Sequence, residues 1–214
     1  MIFKKLIKNV FFSFRMLTSG VRQLPKFIII GVQKGGTTSL TYYLKQHPQV
    51  YLPIKKEVHF FDLNFKKGLS WYKAYFPILS NKIPGEATPY YIFHPHVAKR
   101  IKQTIPNAKF IVLLREPVSR AFSQYRKETS EKHDNIKTFE EAFEAEKERV
   151  ENEEKKMIKD EDYYSYAHQR YTYFSRGLYH KQIQNWLQYF NMEQFLFLKS
   201  EDFFSNPKKE LKKV

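Results

Sequence analysis

The chain has 214 residues, 42% of them hydrophobic and 28% charged, enough to bury one sizeable core and too few to promise two. It contains no cysteine, which excludes disulfides, thiolate metal sites and cysteine nucleophiles, and fits cytoplasmic residence without requiring it. A net charge of +15 points to anionic partners, whether nucleotide, polyanion, nucleic acid or lipid headgroup.

Residues 1–26 hold six Lys and Arg, no acid, and the apolar cluster Val10, Phe11, Phe12, Phe14, with Lys8 and Arg15 interrupting it. The apolar run is far shorter than the ~20 residues of a membrane span, and no small-residue cleavage site follows. Residues 1–25 are therefore read as a basic amphipathic arm and residues 26–214 as one domain. Peripheral docking on an anionic membrane surface is one expectation for the arm; a core-docked or disordered helix is the other.

Phe27-Ile28-Ile29-Ile30-Gly31 is a β-branched apolar run ending at glycine, the pattern of a strand buried on both faces. Residues 37–46 then read as a helix. Residues 71–76 read as a short amphipathic helix, and 83–88 as a short strand stopped by Pro89. A second unit has a helix over 97–103, a turn at Pro106-Asn107, a buried strand over 109–114 and a helix over 117–126 with proline in its first turn. Strand then helix, twice, predicts an α/β fold: a three-layer parallel sheet in a single domain. Between Thr138 and Asp162 eleven acids face five bases, so residues 139–159 read as a solvated, helix-prone insert. Leu178, Ile183, Trp186, Leu187 and Phe190 keep a helical period, residues 195–198 are a third buried strand, and Asn206-Pro207 opens a final helix running to the end.

The chemistry concentrates in Gly31-Val32-Gln33-Lys34-Gly35-Gly36-Thr37-Thr38-Ser39, directly between a buried strand and a helix. Glycines let the backbone approach an anion, successive N–H groups point at it, and the helix N-terminus adds partial positive charge. This P-loop-like anion-binding loop departs from G-x-x-x-x-G-K-[ST], because Thr37 takes the lysine position and the lysine is Lys34, inside the loop. A nucleoside triphosphatase would also want an acid ending a second apolar strand, where Arg115 stands. A guanidinium at the end of a buried strand needs an anionic partner, either a ligand or a structural carboxylate. Glu57 could take a proton from an acceptor, with a salt bridge to Lys55 or Lys56 as the competing reading and His59 as the alternative base. His94-Pro95-His96 lacks a further ligand at usable spacing, so no metal is expected. Tyr163, Tyr164, Tyr166, Tyr171 and Tyr173 lie close enough in sequence to form an acceptor-facing wall.

The loop from Ile30 to Leu40 resembles the 5′-phosphosulfate-binding loop of sulfotransferases, especially the branch with the heparan sulfate sulfotransferases and related bacterial-type domains. Leu114-Arg115-Glu116-Pro117-Val118-Ser119-Arg120-Ala121-Phe122-Ser123-Gln124-Tyr125 is similar to the family's 3′-phosphate motif. Lys56-Glu57-Val58-His59-Phe60-Phe61-Asp62, Gly85-Glu86-Ala87-Thr88-Pro89-Tyr90-Tyr91, and Arg176-Gly177-Leu178-Tyr179 with Trp186-Leu187 agree in order, so the resemblance covers about residues 25–214. It implies 3′-phosphoadenosine 5′-phosphosulfate as co-substrate and adenosine 3′,5′-bisphosphate as product. It makes Lys34, Gly35, Gly36, Thr37, Thr38 and Ser39 the 5′-phosphate site, Arg115 and Ser123 the 3′-phosphate site, and Lys34 and Glu57 the catalytic pair, with no metal.

Two departures qualify the carry-over. Ala87 stands where the heparan sulfate branch usually has lysine, which separates this chain from that branch's way of handling a polysaccharide. The chain stops at Val214, soon after Leu198 to Pro207, where relatives usually continue into a loop over the nucleotide; a shortened enzyme or a fragment is the expectation. The acceptor is left open among glycan, lipid and small molecule. The rival readings are a P-loop-type nucleotide kinase or triphosphatase, and a basic nucleic-acid-binding module supported by charge alone. No nucleic-acid partner is expected.

Overall fold

The computed structural model describes residues 2–78 and 80–214; Met1 of the expected arm lies outside them. The strands are β1 (Phe27–Gly31), β2 (Val50–Tyr51), β3 (Ile83–Ala87), β4 (Lys109–Leu114) and β5 (Phe195–Lys199). They form one parallel sheet in the order β2-β3-β1-β4-β5. The helices in chain order are α1 (Ile2–Leu17), α2 (Thr37–Gln46), α3 (Gly68–Lys73), α4 (Val97–Thr104), α5 (Pro117–Ser130) and α6 (Phe139–Glu144). They continue as α7 (Glu146–Arg149), α8 (Glu153–Lys159), α9 (Tyr166–Arg170), α10 (Tyr179–Leu187), α11 (Ser200–Ser205) and α12 (Pro207–Leu211).

The three layers follow from strand alternation. Ile28 and Ile30 of β1 and Phe110 and Val112 of β4 join Tyr72, Val97, Ala98, Ile101, Trp186 and Phe190 in one buried cluster. Ile29, Ile111 and Leu113 point the other way, against Leu40 and Leu44 of α2 and Phe203 of α11. Both faces of the sheet are thus covered, as parallel sheets require. The expected strands at β1 and β4 and the helix at α2 match residue for residue, because two-sided burial leaves a continuous apolar run.

Elsewhere the elements differ from expectation. The helix expected over 71–76 occupies Gly68–Lys73 and ends at Ala74. The two-residue β2 pairs with β3 at the sheet edge and has too few residues to show a period. The final helix opens where expected, with the Asn206 side chain accepting from the Lys209 amide, but it ends at Leu211 instead of running to the end, and the unexpected helix α11 precedes it. The acidic insert is three short helices, α6 to α8, broken at Ala145 and at Asn152 in the left-handed region. It is not wholly solvated. Glu146 is buried and accepts from the amides of Phe174, at 2.5 Å, and Ser175, at 2.9 Å.

The arm forms α1 and docks on α3: the Phe12 ring lies 5.0 Å from Tyr75 and 6.2 Å from Trp71. Arg15 donates to the carbonyls of Ala74 and, at 2.9 Å, Phe76. Val10, Phe11, Phe14 and Leu17 stay exposed on its outer side.

Candidate active site

The sheet order turns back at β1: β3 lies on one side of it and β4 on the other. Beyond the carboxyl ends of such central strands lies the usual ligand crevice of an α/β sheet. The loop leaving β1 is pinned there by Val32 N–H donating to the Leu113 carbonyl at 3.1 Å and Gly35 N–H donating to the Val32 carbonyl at 2.9 Å. Gly35 packs so tightly that a Cβ would fall 2.4 Å from the Leu113 oxygen. Gly36 has φ 100° and precedes α2 without offering a side-chain cap. The first amides of α2 therefore have no intrahelical or capping acceptor, and face the crevice as an anion site.

One cavity of about 420 Å³ opens at this point, lined among others by Gln33, Lys34, Gly36, Thr37, Thr38, Glu57, Arg115 and Ser123. Two residues of the expected set do not line it. Gly35 is spent on the close approach to β4, and Ser39 lies further into α2. Lys34 stands at φ 69°, and its amine is held below the usual lysine range by burial first, then by the charges of Lys127 and Arg115. Arg115 follows β4 and donates to the Lys34 carbonyl at 3.0 Å, which ties the loop leaving β1 to the end of β4. The helix after it begins at Pro117, with the Glu116 carboxylate accepting from the Val118 and Ser119 amides at 2.8 and 2.6 Å. This cap sets α5 so that Ser123 reaches the cavity.

Across the cavity, Glu57 and His59 stand at φ 56° and 55°. Glu57 Oε1 lies 3.4 Å from Lys56 Nζ and Oε2 lies 3.4 Å from His59 Nε2. The other ring nitrogen of His59 meets Asp62 Oδ2 at 2.6 Å. Burial opposes charge on this histidine, yet its bonds to Asp62 and Glu57 outweigh that and raise it to about 9. His59 is therefore an imidazolium at neutral pH, with no free lone pair to accept a proton. Burial likewise opposes charge on Glu57, but the bond to His59 and the nearby Lys56 hold its carboxyl below the ordinary range. Of the two lysines in the competing salt-bridge reading, Glu57 pairs with Lys56, and it also lines the cavity.

The loop carrying Glu57 and His59 rests on Glu86 of β3. Burial raises this carboxyl to about 7 against the hydrogen bonds of Tyr72, Thr88 and Tyr91. The Tyr91 hydroxyl donates to Glu86 at 2.8 Å and accepts from the Phe60 amide at 2.8 Å. The motif around Glu86 is thus a buried support behind the motif around Glu57.

Lys56, His59, Tyr90, Lys127, Gln169, Arg170 and Arg176 also line the cavity, and their own chemistry did not single out Gln33, Lys127, Gln169 or Arg170 from sequence. Ser123 and Lys127 are four residues apart on α5, so helical spacing carried a signal for Lys127. The expected tyrosine wall is divided. Tyr163 and Tyr164 line a second cavity of about 310 Å³ that adjoins the first at Tyr90, whereas Tyr173 is buried in the core. His94 and His96 are also buried, and His96 Nε2 meets the Met157 carbonyl at 2.6 Å. Glu128, Glu131 and His133 come within 4.8 Å of one another, but Lys127 and Arg170 already pair with these carboxylates.

A parallel sheet covered on both faces, a glycine loop after its central strand and a charged crevice at the strand ends define an α/β fold of the anion-loop type. The family model described as "Sulfotransferase domain" matches residues 24–214. The human heparan sulfate glucosamine 3-O-sulfotransferase 3A1 is 36% identical over 93% of this chain and 45% of its own length. A membrane-associated sulfotransferase of Dictyostelium discoideum, kil1, is 47% identical over 48% of this chain and 22% of its own length. A solved sulfotransferase structure from Alicyclobacillus acidocaldarius superposes with a TM-score of 0.72 at 29% identity, covering 89% of this chain and 79% of that one. The chain belongs to the sulfotransferase family. It spans about half the length of the full-length heparan sulfate relatives it matches.

Proposed function

We propose that the chain transfers a sulfuryl group from 3′-phosphoadenosine 5′-phosphosulfate to an acceptor hydroxyl or amine. The observation that carries this reading is the placement of Lys34, Arg115, Ser123 and Glu57 around one cavity at the N-terminus of α2. The charges fit the donor: the α2 amides with Thr37 and Thr38 would hold the 5′-phosphate, Arg115 and Ser123 the 3′-phosphate. Glu57 would take the acceptor proton as the new oxygen–sulfur (or nitrogen–sulfur) bond forms in line with the breaking bond to the bridging oxygen. The electron pair of that bond stays on the 5′-phosphate of the departing adenosine 3′,5′-bisphosphate, where Lys34 neutralises it. His59, held charged by Asp62, keeps Glu57 ionised and oriented.

Two tests address this reading. By calorimetry, adenosine 3′,5′-bisphosphate should bind more tightly than ATP or adenosine 5′-phosphate, and equal affinities would remove the role given to Arg115. A radiolabelled-donor screen over glycans, lipids, phenols and peptides should then find an acceptor, with transfer persisting in chelator. Heparan sulfate heads the panel because relatives are named for it. Ala87, buried on β3, leaves the acceptor side without the lysine expected there.

The reading includes a peripheral membrane contact through α1. Its support is the outward apolar side of that helix, the basic residues of the arm, and the membrane association named for one relative. No helix among the described residues is long and apolar enough to cross a membrane.

A further inference from the structure

Arg176 is 1% exposed, and the groups that meet it are all uncharged. Its Nη2 donates to the carbonyls of His168 and Gln169, each at 3.0 Å. Its guanidinium carbon lies 5.1 Å from the Tyr90 ring centre and 4.8 Å from that of Phe93. Nη1 donates to Oε1 of Gln33, the residue before Lys34 in the anion loop. Burial lowers Arg176 to about 10, so it remains a cation at neutral pH. A buried arginine with no carboxylate against it is costly to keep, and this one hydrogen-bonds one side chain of the reaction cavity, Gln33.

The contact dictates which way Gln33 faces. A guanidinium has only donors, so only the oxygen of the Gln33 amide can meet it, and turning the amide over would set donor against donor. The NH2 group is thereby directed away from Arg176, and Gln33 lines the cavity beside Lys34. Among the described residues, that NH2 donates to no protein acceptor.

We propose that Gln33 is a catalytic amide donor to a non-bridging sulfuryl oxygen, and that buried Arg176 is the positioning residue that fixes its orientation. The inference rests on the sulfuryl-transfer reading. As the acceptor–sulfur bond forms and the sulfur–bridging oxygen bond breaks, the proton goes to Glu57 and the electron pair to the 5′-phosphate. The sulfuryl oxygens stay anionic throughout. Gln33 gives up no proton; it offers a preorganised hydrogen bond to one of those oxygens. Lys34 covers the bridging oxygen, and its neighbour covers the group in transit.

The product separates the two roles, because adenosine 3′,5′-bisphosphate lacks the sulfuryl group. In the full chain, Gln33→Ala and the near-isosteric Gln33→Met should each lower kcat for labelled transfer by about 10²-fold, the scale of losing one oxyanion donor. The acceptor is heparan sulfate, or the best acceptor of the screen where heparan sulfate takes no label. Calorimetric affinity for adenosine 3′,5′-bisphosphate should be unchanged. Arg176→Gln should lose turnover to a similar extent, and the Gln33→Met, Arg176→Gln double variant should lose no more. Wild-type kcat in Gln33→Met, or a parallel loss of product affinity, overturns the proposal whether or not Arg176→Gln folds. A wild-type chain that neither binds the bisphosphate nor transfers label removes the sulfuryl-transfer reading instead.

Discussion

Glu57 occupies a backbone region that costs a non-glycine residue of order 1–3 kcal/mol, and it is held there by its amide donating to the Ala87 carbonyl at 3.1 Å. A strained carboxylate lining the same cavity as Lys34 is consistent with the base role proposed for Glu57. Glu57→Gln preserves shape while removing the proposed base, so on that reading turnover should fall roughly 10²–10⁴-fold with affinity for adenosine 3′,5′-bisphosphate nearly unchanged. Lys34→Ala should reduce both, because the proposed role has its charge acting in the ground state and in the transition state. The imidazole next to Glu57 gives a pH prediction. His59 is raised from 6.5 to about 9, so its contribution to stability is full below pH 6.5 and is lost as pH climbs through 9. Asp62→Asn removes the shorter of its two carboxylate bonds. An NMR titration should find His59 lower in that variant, and thermal melts should lose less stability between pH 6.5 and 9 than the wild type does.

At the scale of elements, the loop between β1 and α2 is a seam as well as the proposed binding site. Its backbone is bonded to the end of β4 through Val32 and Arg115, so any widening of the loop must push the two central strands apart. Gly35→Ala puts a methyl 2.4 Å from the Leu113 oxygen, a backbone contact with no flexible end to give way. Denaturant unfolding should show a loss of roughly 1–3 kcal/mol, the usual cost of overpacking, together with weaker bisphosphate binding. Gly20→Ala, with nothing within 4 Å of the added Cβ, should change neither and serves as the control. The acidic insert is organised by the same logic of buried contacts. Glu146 anchors the backbone at Phe174 and Ser175, just before buried Arg176, so α7 supports the segment that meets Gln33.

For the whole molecule, the most unusual surface is the outer side of α1. Phe11 is 59% exposed and Phe14 is 58% exposed, while Phe12 and Arg15 of the same helix face α3. The helix turns Phe12 and Arg15 inward and leaves Val10, Phe11, Phe14 and Leu17 outward, which supports the membrane contact proposed for it. With a chain charge of +15, an anionic bilayer is the complementary surface. Phe11→Ser with Phe14→Ser should reduce sedimentation with phosphatidylserine vesicles several-fold and leave bisphosphate affinity intact. Equal sedimentation of the wild type and the variant would remove the membrane reading of α1. The sequence by itself determined the central strands of the sheet, because strands buried on both faces leave runs such as Ile28 to Ile30 and Phe110 to Leu114 that no amphipathic helix produces. It also determined the anion loop, because glycine spacing after a strand is a local constraint. Only the tertiary structure decided that His59 is paired with Asp62 and charged, that Glu86 is a buried support, and that Arg176 meets Gln33. Those outcomes depend on desolvation and on which distant groups share a space, and Gln33 and Arg176 lie 143 residues apart in the chain.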